Sequence, residues 1–178
     1  MNNSFRNRVM HFTISISLLL IMTGFIYAQS GNQNYYWMNF GLGLGSVGED
    51  GEGGMAIHFN FAYEIAGKIL TLRMLDCGQL FGRSLDEISF LYGKGFDFSK
   101  VYISFGGGIG MVKGSISHGI FSESKTTYIG PTTGLPLEMQ VQWRPFRLIG
   151  LGLYGFANIN SEESFYGATL SLYIGKLR

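Results

Sequence analysis

The segment Lys113–Lys125 holds the residue types from which a hydrolytic or acyl-transfer site could be built. Its hydroxyl, imidazole and carboxylate groups are Ser115, Ser117, His118, Ser122 and Glu123. A serine hydroxyl becomes a nucleophile when a histidine accepts its proton and a carboxylate orients that histidine. Closeness in sequence is poor evidence for such a triad, so an ordinary polar loop is the preferred interpretation.

A second candidate is a glycine motif near the start of the chain. Gly43, Gly45 and Gly48 have the G-x-G-x-x-G spacing of a turn that binds the pyrophosphate of a dinucleotide. That motif needs a helix after it, whereas the run that follows, GEDGEGG, breaks helices and carries acidic side chains that would repel a phosphate. We therefore expect these glycines to have a structural role within a strand.

The same acidic run offers Glu49, Asp50 and Glu52 as oxygen ligands for a divalent cation. It lacks the alternating donors and the terminal glutamate of an EF-hand loop, so we expect a solvated hairpin loop and no metal site. We also expect no cofactor. Cys77 is the only cysteine, which excludes an intramolecular disulfide.

The elements that position these residues show a period of two, which is typical of strands with one apolar face. In LPLEMQVQWR, for example, apolar residues alternate with Glu138, Gln140, Gln142 and Arg144. The alternating segments are Tyr36–Gly45, Met55–Glu64, Lys68–Leu75, Glu87–Gly93, Val101–Val112, Leu135–Arg144, Leu148–Asn158 and Tyr166–Lys176. Pro131 and Pro136 would each interrupt a ladder, so we expect the sixth strand to begin near Leu135.

The number and length of these segments predict a transmembrane barrel. With their extensions they run to about 9 to 14 residues, close to the 9 to 11 residues that a tilted transmembrane strand needs. In lipid every backbone N–H and C=O must be paired, so such strands close into a barrel. The sequence therefore predicts an all-β fold, an eight-stranded antiparallel up-and-down transmembrane β-barrel over residues 29–178.

The first 28 residues read as a cleaved signal peptide, with Arg6 and Arg8 before an apolar run and Ala28 at the cleavage point. A transmembrane anchor is the alternative, but His11 and Thr13 interrupt the run and no charged cluster follows it. The formal net charge of +1 gives no support for nucleic-acid binding.

The face opposite the apolar one is expected to fill the barrel. An eight-stranded barrel is just wide enough to be packed by side chains, so large inward groups require glycines opposite them and a diffusion pore is not expected. The inward polar residues are expected to form a network that plugs the lumen, with a proton or ion path as the alternative. They are His58, Asn60, Arg73, Glu87, Glu138, Gln140, Gln142 and Arg144.

Connector lengths predict the orientation, because outer-membrane barrels have short periplasmic turns and longer outside loops. The expected outside connectors are 46–54, 76–86, 114–134 and 160–164, and the short inside ones are 65–68, 94–100 and 144–147. Both ends of the barrel domain are then periplasmic. At that end we expect an interfacial aromatic girdle of Tyr36, Trp37, Tyr63, Phe96, Trp143 and Phe146.

With these features the chain resembles the small outer-membrane β-barrels of Gram-negative bacteria, of the outer-membrane protein A and X type. The C-terminal stretch GLGLYGFANINSEESFYGATLSLYIGKLR is similar to the closing hairpin of such barrels. The resemblance implies a monomer in the outer membrane, with outer-membrane lipid, lipopolysaccharide and the barrel-assembly machinery as partners.

The resemblance does not imply one activity, because a fold does not specify a function. A structural or surface-interaction role with a packed lumen is the preferred hypothesis, and not an enzyme. One alternative is a lipid A-modifying enzyme, an acyltransferase or deacylase that uses His118 and a loop serine. The other is a secreted lipocalin-like binding barrel with its apolar face inward, which the glycine-rich second face disfavours.

Overall fold

The structure is a computed structural model that describes residues 34–48, 52–78, 83–118 and 125–178. The predicted signal peptide, residues 1–28, lies outside these ranges. Within them the chain forms the strands β1 (Tyr35–Val47), β2 (Glu52–Ile65), β3 (Lys68–Gly78), β4 (Arg83–Phe98), β5 (Val101–His118), β6 (Lys125–Trp143), β7 (Ile149–Asn160) and β8 (Phe165–Lys176).

The eight strands form one closed barrel. Each strand pairs antiparallel with the next, and β1 pairs with β8 from Tyr36 opposite Lys176 to Val47 opposite Phe165. Closure satisfies the backbone hydrogen bonds that an open sheet would leave free at its first and last strands. The predicted fold class, an eight-stranded antiparallel up-and-down barrel, is confirmed.

Two-residue turns join β2 to β3 and β4 to β5. Ala66 and Gly67 both have positive φ, 52° and 77°, which is the type I′ geometry that matches the twist of a hairpin. We call this end of the barrel, with the connections 66–67, 99–100 and 144–148, the turn end. The loop end is the opposite one, with the connections 48–51, 79–82, 119–124 and 161–164.

Several strands are longer than the sequence predicted. β4 continues to Phe98, so residues 94–98, expected in a connector, belong to a strand. The prediction that β6 begins near Leu135 is wrong, because β6 begins at Lys125. Most of the connector expected over 114–134 is therefore a hairpin of β5 and β6, in which β6 lacks a β7 partner over residues 125–133 and β5 stays paired with β4 up to Ile116.

The two prolines fit into β6 because, at each of them, the pairing of β6 with one of its neighbouring strands is absent or interrupted. The β5–β6 register shifts by one residue between the pairs Val112–Thr132 and Gly114–Ile129, which places Pro131 in a bulge. Pro136 pairs with Asn158 on β7, and the pairing of β6 with β5 is interrupted at its level. A missing N–H is tolerated at both positions.

The outer wall of the barrel is apolar and the interior is not. Large apolar side chains are exposed along every strand, among them Leu44 at 73%, Phe90 at 67% and Leu170 at 72%. The intervening residues point inward and are buried. This is the reverse of a water-soluble protein, and it is the arrangement expected for a wall that faces hydrocarbon.

The described part of the chain contains no helix that is both long and apolar enough to cross a bilayer.

Candidate functional site

The interior is layered, with apolar side chains near each end and polar ones between them. The loop-end cluster consists of Val47, Ala56, Leu75, Cys77, Leu85, Val112, Tyr154, Phe156 and Phe165. The turn-end cluster consists of Trp37, Ala62, Ile69, Tyr102, Tyr173 and Leu177. All these side chains are buried.

A buried ion pair forms the centre of the polar layer. The Arg73 guanidinium donates from Nε to Oε1 of Glu87 at 2.8 Å and from Nη2 to Oε2 at 2.9 Å. Both side chains are 0% exposed. Asn158 Nδ2 also donates to Glu87 Oε2 at 2.9 Å, and the Ser89 hydroxyl donates to Oε1. This bidentate geometry with further donors is what a buried ion pair needs to offset its desolvation.

A second buried carboxylate, Glu138 on β6, is held by neutral donors. Its oxygens accept hydrogen bonds from the Tyr154 hydroxyl at 2.8 Å, Thr71 Oγ1 at 3.1 Å and Gln140 Nε2 at 3.2 Å. Arg73 Nη1 donates to the Tyr154 hydroxyl at 3.2 Å. Tyr154 therefore connects the ion pair to Glu138, and one network crosses the lumen from β3 and β4 to β6 and β7.

His58 is part of a smaller group beside this network. Its Nδ1 lies 3.0 Å from Thr169 Oγ1, and its ring lies 4.1 Å from that of Tyr154 between centroids. The residue is 1% exposed. The imidazole and the hydroxyl groups of Thr169 and Ser171 thus form a hydrogen-bonded group of their own.

A set of charged residues lies at the turn end, below the apolar cluster. Glu64 accepts from the Tyr102 hydroxyl at 2.7 Å and from Arg178 Nη1 at 2.7 Å. Arg144 Nη2 donates to Asp97 Oδ1 at 2.9 Å, and its Nη1 donates to the Arg178 carbonyl oxygen. These contacts join β2, β4, β5 and the residues that follow β6 and β8, so the interior charges at this end are paired.

At the loop end an ion pair lies beside the first connection. Arg83 at the start of β4 approaches Glu163, between β7 and β8, at 3.6 Å. Gly48 adopts a φ of 75°, and a Cβ there would come within 2.6 Å of Arg83 Nη1 and 2.7 Å of Glu163 Oε2. The glycine therefore permits both the left-handed backbone and the close approach of the two charged side chains.

On β3 and β4 the outward charged side chains lie near the two ends of the strands, with apolar residues between them. Toward the loop end are Asp76 and Asp86, with Lys113 at 3.7 Å from Asp86. Toward the turn end are Lys68 and Lys94. The outward residues between them are Leu70, Leu72, Met74, Ile88, Phe90 and Tyr92. Eight residue steps separate the charged levels on β3, about 27 Å of strand, or about 20 Å of height at a tilt of about 40°.

Solved structures share this architecture, although no protein-family model and no curated protein matches the chain. Neisserial surface protein A (NspA) aligns with a TM-score of 0.63 and 11% identity, over 79% of this chain and 96% of that one. The N-terminal β-barrel domain of Pseudomonas aeruginosa OprF aligns with a TM-score of 0.58 and 9% identity, over 82% and 99%. Ail, the attachment invasion locus protein of Yersinia pestis, aligns with a TM-score of 0.57 and 14% identity, over 80% of this chain and 97% of that one. The chain has the fold of the small eight-stranded outer-membrane β-barrels.

Within this outer-membrane barrel fold, all eight predicted interior polar residues are buried, but they do not form a single network. Five of them, Arg73, Glu87, Glu138, Gln140 and Gln142, lie in the central network and its extension along β6. His58 belongs to the separate group with Thr169, and Arg144 to the turn-end set. The side-chain amide of Asn60 has no hydrogen-bond partner within the described ranges.

Sequence reasoning missed Tyr154 as the connection between the carboxylates, and it missed the turn-end partners Glu64, Asp97 and Arg178. Alternation along β2 places Glu64 on the inward face, so the sequence does indicate that it is an interior charge. The pairing with Tyr102 depends on the closed barrel, in which β2 and β5 face each other across the lumen.

The predicted aromatic girdle requires one correction. Trp37 is 2% exposed and contacts Tyr102 inside the barrel, with ring centroids 5.9 Å apart in an edge-to-face arrangement. Alternation along β1 points it inward, since its neighbours Tyr36 and Met38 point outward. Of the other residues, Phe96, Trp143 and Phe146 are exposed on the barrel wall or the turn after β6, and Tyr36 and Tyr63 are partly exposed.

The candidate catalytic and metal-binding residues lie largely outside the part of the barrel that the structure describes. Ser122 and Glu123, and the acidic residues Glu49 and Asp50, fall between the described ranges. Ser117 and His118 are described only as backbone at the end of β5. Among the described residues, no group of three or more His, Cys, Asp or Glu side chains could hold a metal ion.

Proposed function

We propose that the protein resides in the outer membrane, is closed to diffusion, and displays the β5–β6 hairpin at the cell surface as its binding element. The fold and the apolar wall support the location. The single observation that carries the binding role is the length of β5 and β6, which have 18 and 19 residues whereas the other strands have 11 to 16. With the turn end in the periplasm, this hairpin projects outside the cell.

One edge of the projecting hairpin has no neighbouring strand within the described ranges. β6 pairs with β7 only from Gly134 onward, so residues 125–133 pair with β5 alone. An edge of this kind offers backbone N–H and C=O groups to an extended segment of another protein, which can add to the sheet as a further strand. The bulge at Gly130–Pro131 interrupts the edge, which limits such pairing to short segments and opposes aggregation.

The orientation of the hairpin can be tested with single cysteines. Tyr128 on β6 is 80% exposed, so Tyr128→Cys is expected to react with a membrane-impermeant maleimide on intact cells. Lys100→Cys, in the turn between β4 and β5, is expected to react only after the outer membrane is permeabilised. The native Cys77 is 0% exposed and gives a low background. Labelling of Lys100→Cys and not of Tyr128→Cys on intact cells would invert the orientation and overturn the display role.

The closed lumen predicts an electrically silent barrel. Refolded protein in a planar bilayer is expected to give no steady conductance steps, because two apolar layers and the Arg73 network fill the interior. A larger porin refolded in the same way serves as the positive control, since its strand number leaves an aqueous channel. Reproducible open levels from the folded barrel would contradict the proposal and favour the ion path.

A further inference from the structure

We propose that Lys68 and Lys94 form a binding site for the phosphate of an anionic membrane phospholipid on the outer wall of the barrel. The two lysines are direct cross-strand partners on β3 and β4. Both side chains point outward and are exposed. Cβ atoms of such partners are about 4.5–5.5 Å apart, and like charges at this position destabilise a sheet unless an anion lies between them.

No carboxylate of the described residues compensates these two charges. The ion pairs in the described ranges join other groups, and at the turn end Glu64 and Asp97 are engaged by Arg144 and Arg178. The only contact that Lys94 makes with a ring is with Phe96, whose centroid lies 5.4 Å from its Nζ, again within the described residues. The lysine pair therefore keeps a net charge of +2 on the lipid-facing surface, and the counter-ion must come from outside the chain.

The surroundings of the pair match a phospholipid rather than a free anion. Leu70 and Tyr92, the next outward pair on the same strands, are each 56% exposed. Phe105, opposite Lys94 on β5, is 49% exposed, and Ile65, opposite Lys68 on β2, is 44% exposed. These side chains form an apolar surface directly beside the two ammonium groups. Acyl chains can lie on this surface while the phosphate of the same molecule lies between the lysines.

The level of the pair on the wall is also that of a headgroup. Between Lys68 and Asp76 the outward face of β3 is apolar over about 20 Å of height, close to the apolar band of about 25 Å in outer-membrane barrels. Lysine ammonium groups at the edge of such a band extend into the headgroup region while their stems remain in contact with lipid. A net negative lipid such as phosphatidylglycerol is favoured, since a zwitterionic headgroup brings its own ammonium into the site.

The test refolds the full chain in detergent micelles that also contain phosphatidylglycerol and phosphatidylcholine, and it measures which of the two lipids the protein retains. Native mass spectrometry is expected to show one phosphatidylglycerol retained in preference to phosphatidylcholine. In Lys68→Gln/Lys94→Gln the affinity is expected to fall about 30-fold, roughly fivefold for each lysine. The matched control is Lys176→Gln, an outward lysine at the same end whose cross-strand partner is Tyr36, and it is expected to bind like wild type.

Two outcomes would overturn the site. Equal retention by wild type and the double variant would show that the pair does not bind the phosphate, and equal loss in Lys176→Gln would reduce the effect to the overall charge of the turn end. A boiling-dependent shift in gel migration reports the folded barrel for each variant, so loss of binding is distinguishable from loss of folding. The site requires the wall to face lipid, as proposed above, but it does not depend on the role of the hairpin.

Discussion

Replacing Glu87 by glutamine (Glu87→Gln) is expected to lower the free energy of unfolding of the barrel by about 3–5 kcal/mol. The substitution keeps the shape of the side chain but removes the charge that pairs with Arg73, and both side chains are 0% exposed. The guanidinium would then be buried without its bidentate partner, and its remaining hydrogen bonds go to the Tyr154 hydroxyl and to the carbonyl oxygens of Leu137 and Ala157. Urea unfolding in lipid vesicles, followed by the gel shift of the folded barrel, measures the change.

Two further variants separate the buried charge from charge in general. Glu163→Gln removes the partner of Arg83 at the partly exposed loop end and is expected to cost less than about 1 kcal/mol. Arg73→Met/Glu87→Gln removes both partners of the ion pair and is expected to recover most of the loss, because the guanidinium is gone and the remaining buried carboxylate, Glu138, keeps its donors Tyr154, Thr71 and Gln140. If the free energy of unfolding of Glu87→Gln lies within about 1 kcal/mol of the wild-type value, the ion pair does not stabilise the interior as described.

The alternation of residue types was sufficient to predict the barrel, because in a strand each side chain is assigned to the wall or the interior by parity alone. Parity predicts that Arg73 and Glu87 point inward, and both are buried. Which carboxylate Arg73 meets could not be read in the same way. That choice depends on register: Arg73 lies opposite Ser89 on β4, which brings Glu87 into bidentate reach, whereas Glu138 on β6 shares the Tyr154 hydroxyl with Arg73.

The sequence alone does not predict the extent of β6, because the effect of a proline depends on whether the neighbouring strands pair with it. Pro131 lies where β6 has no β7 partner and where the β5 register shifts, so the missing N–H breaks no regular ladder. A local rule against proline in strands does not apply at such an edge. The β5–β6 hairpin, on which the proposed function rests, is therefore the part of the fold that the sequence predicts least well.

Trp37 illustrates a different limit, in which composition and parity disagree. A tryptophan near the turn end suits an interfacial girdle by composition, but parity on β1 sends it inside, where it packs with Tyr102. Parity prevailed because the pleat of a paired strand is fixed along its whole length: exposing Trp37 would turn the apolar residues Met38 and Phe40 into the lumen.

Replacing Gly108 by alanine (Gly108→Ala) is expected to destabilise the barrel by about 3 kcal/mol, at the upper end of overpacking effects. A Cβ at this position on β5 would lie 1.9 Å from the carbonyl oxygen of Phe90 and 2.7 Å from the Cα of Leu91. These are backbone atoms of β4, so they cannot move aside without disturbing the β4–β5 ladder. The change is measured by urea unfolding in vesicles, together with the yield of the folded gel band.

The matched control for this prediction is Gly155→Ala, which adds the same methyl group in the middle of β7. The nearest atom to a Cβ there is the carbonyl oxygen of Met139 at 3.8 Å, an ordinary van der Waals distance. Gly155 is on the outward face, so the methyl group enters the lipid-facing wall and the effect is expected to stay within about 0.5 kcal/mol. Equal effects of the two substitutions would mean that the loss reflects glycine flexibility rather than the close approach of β4 and β5 at Gly108.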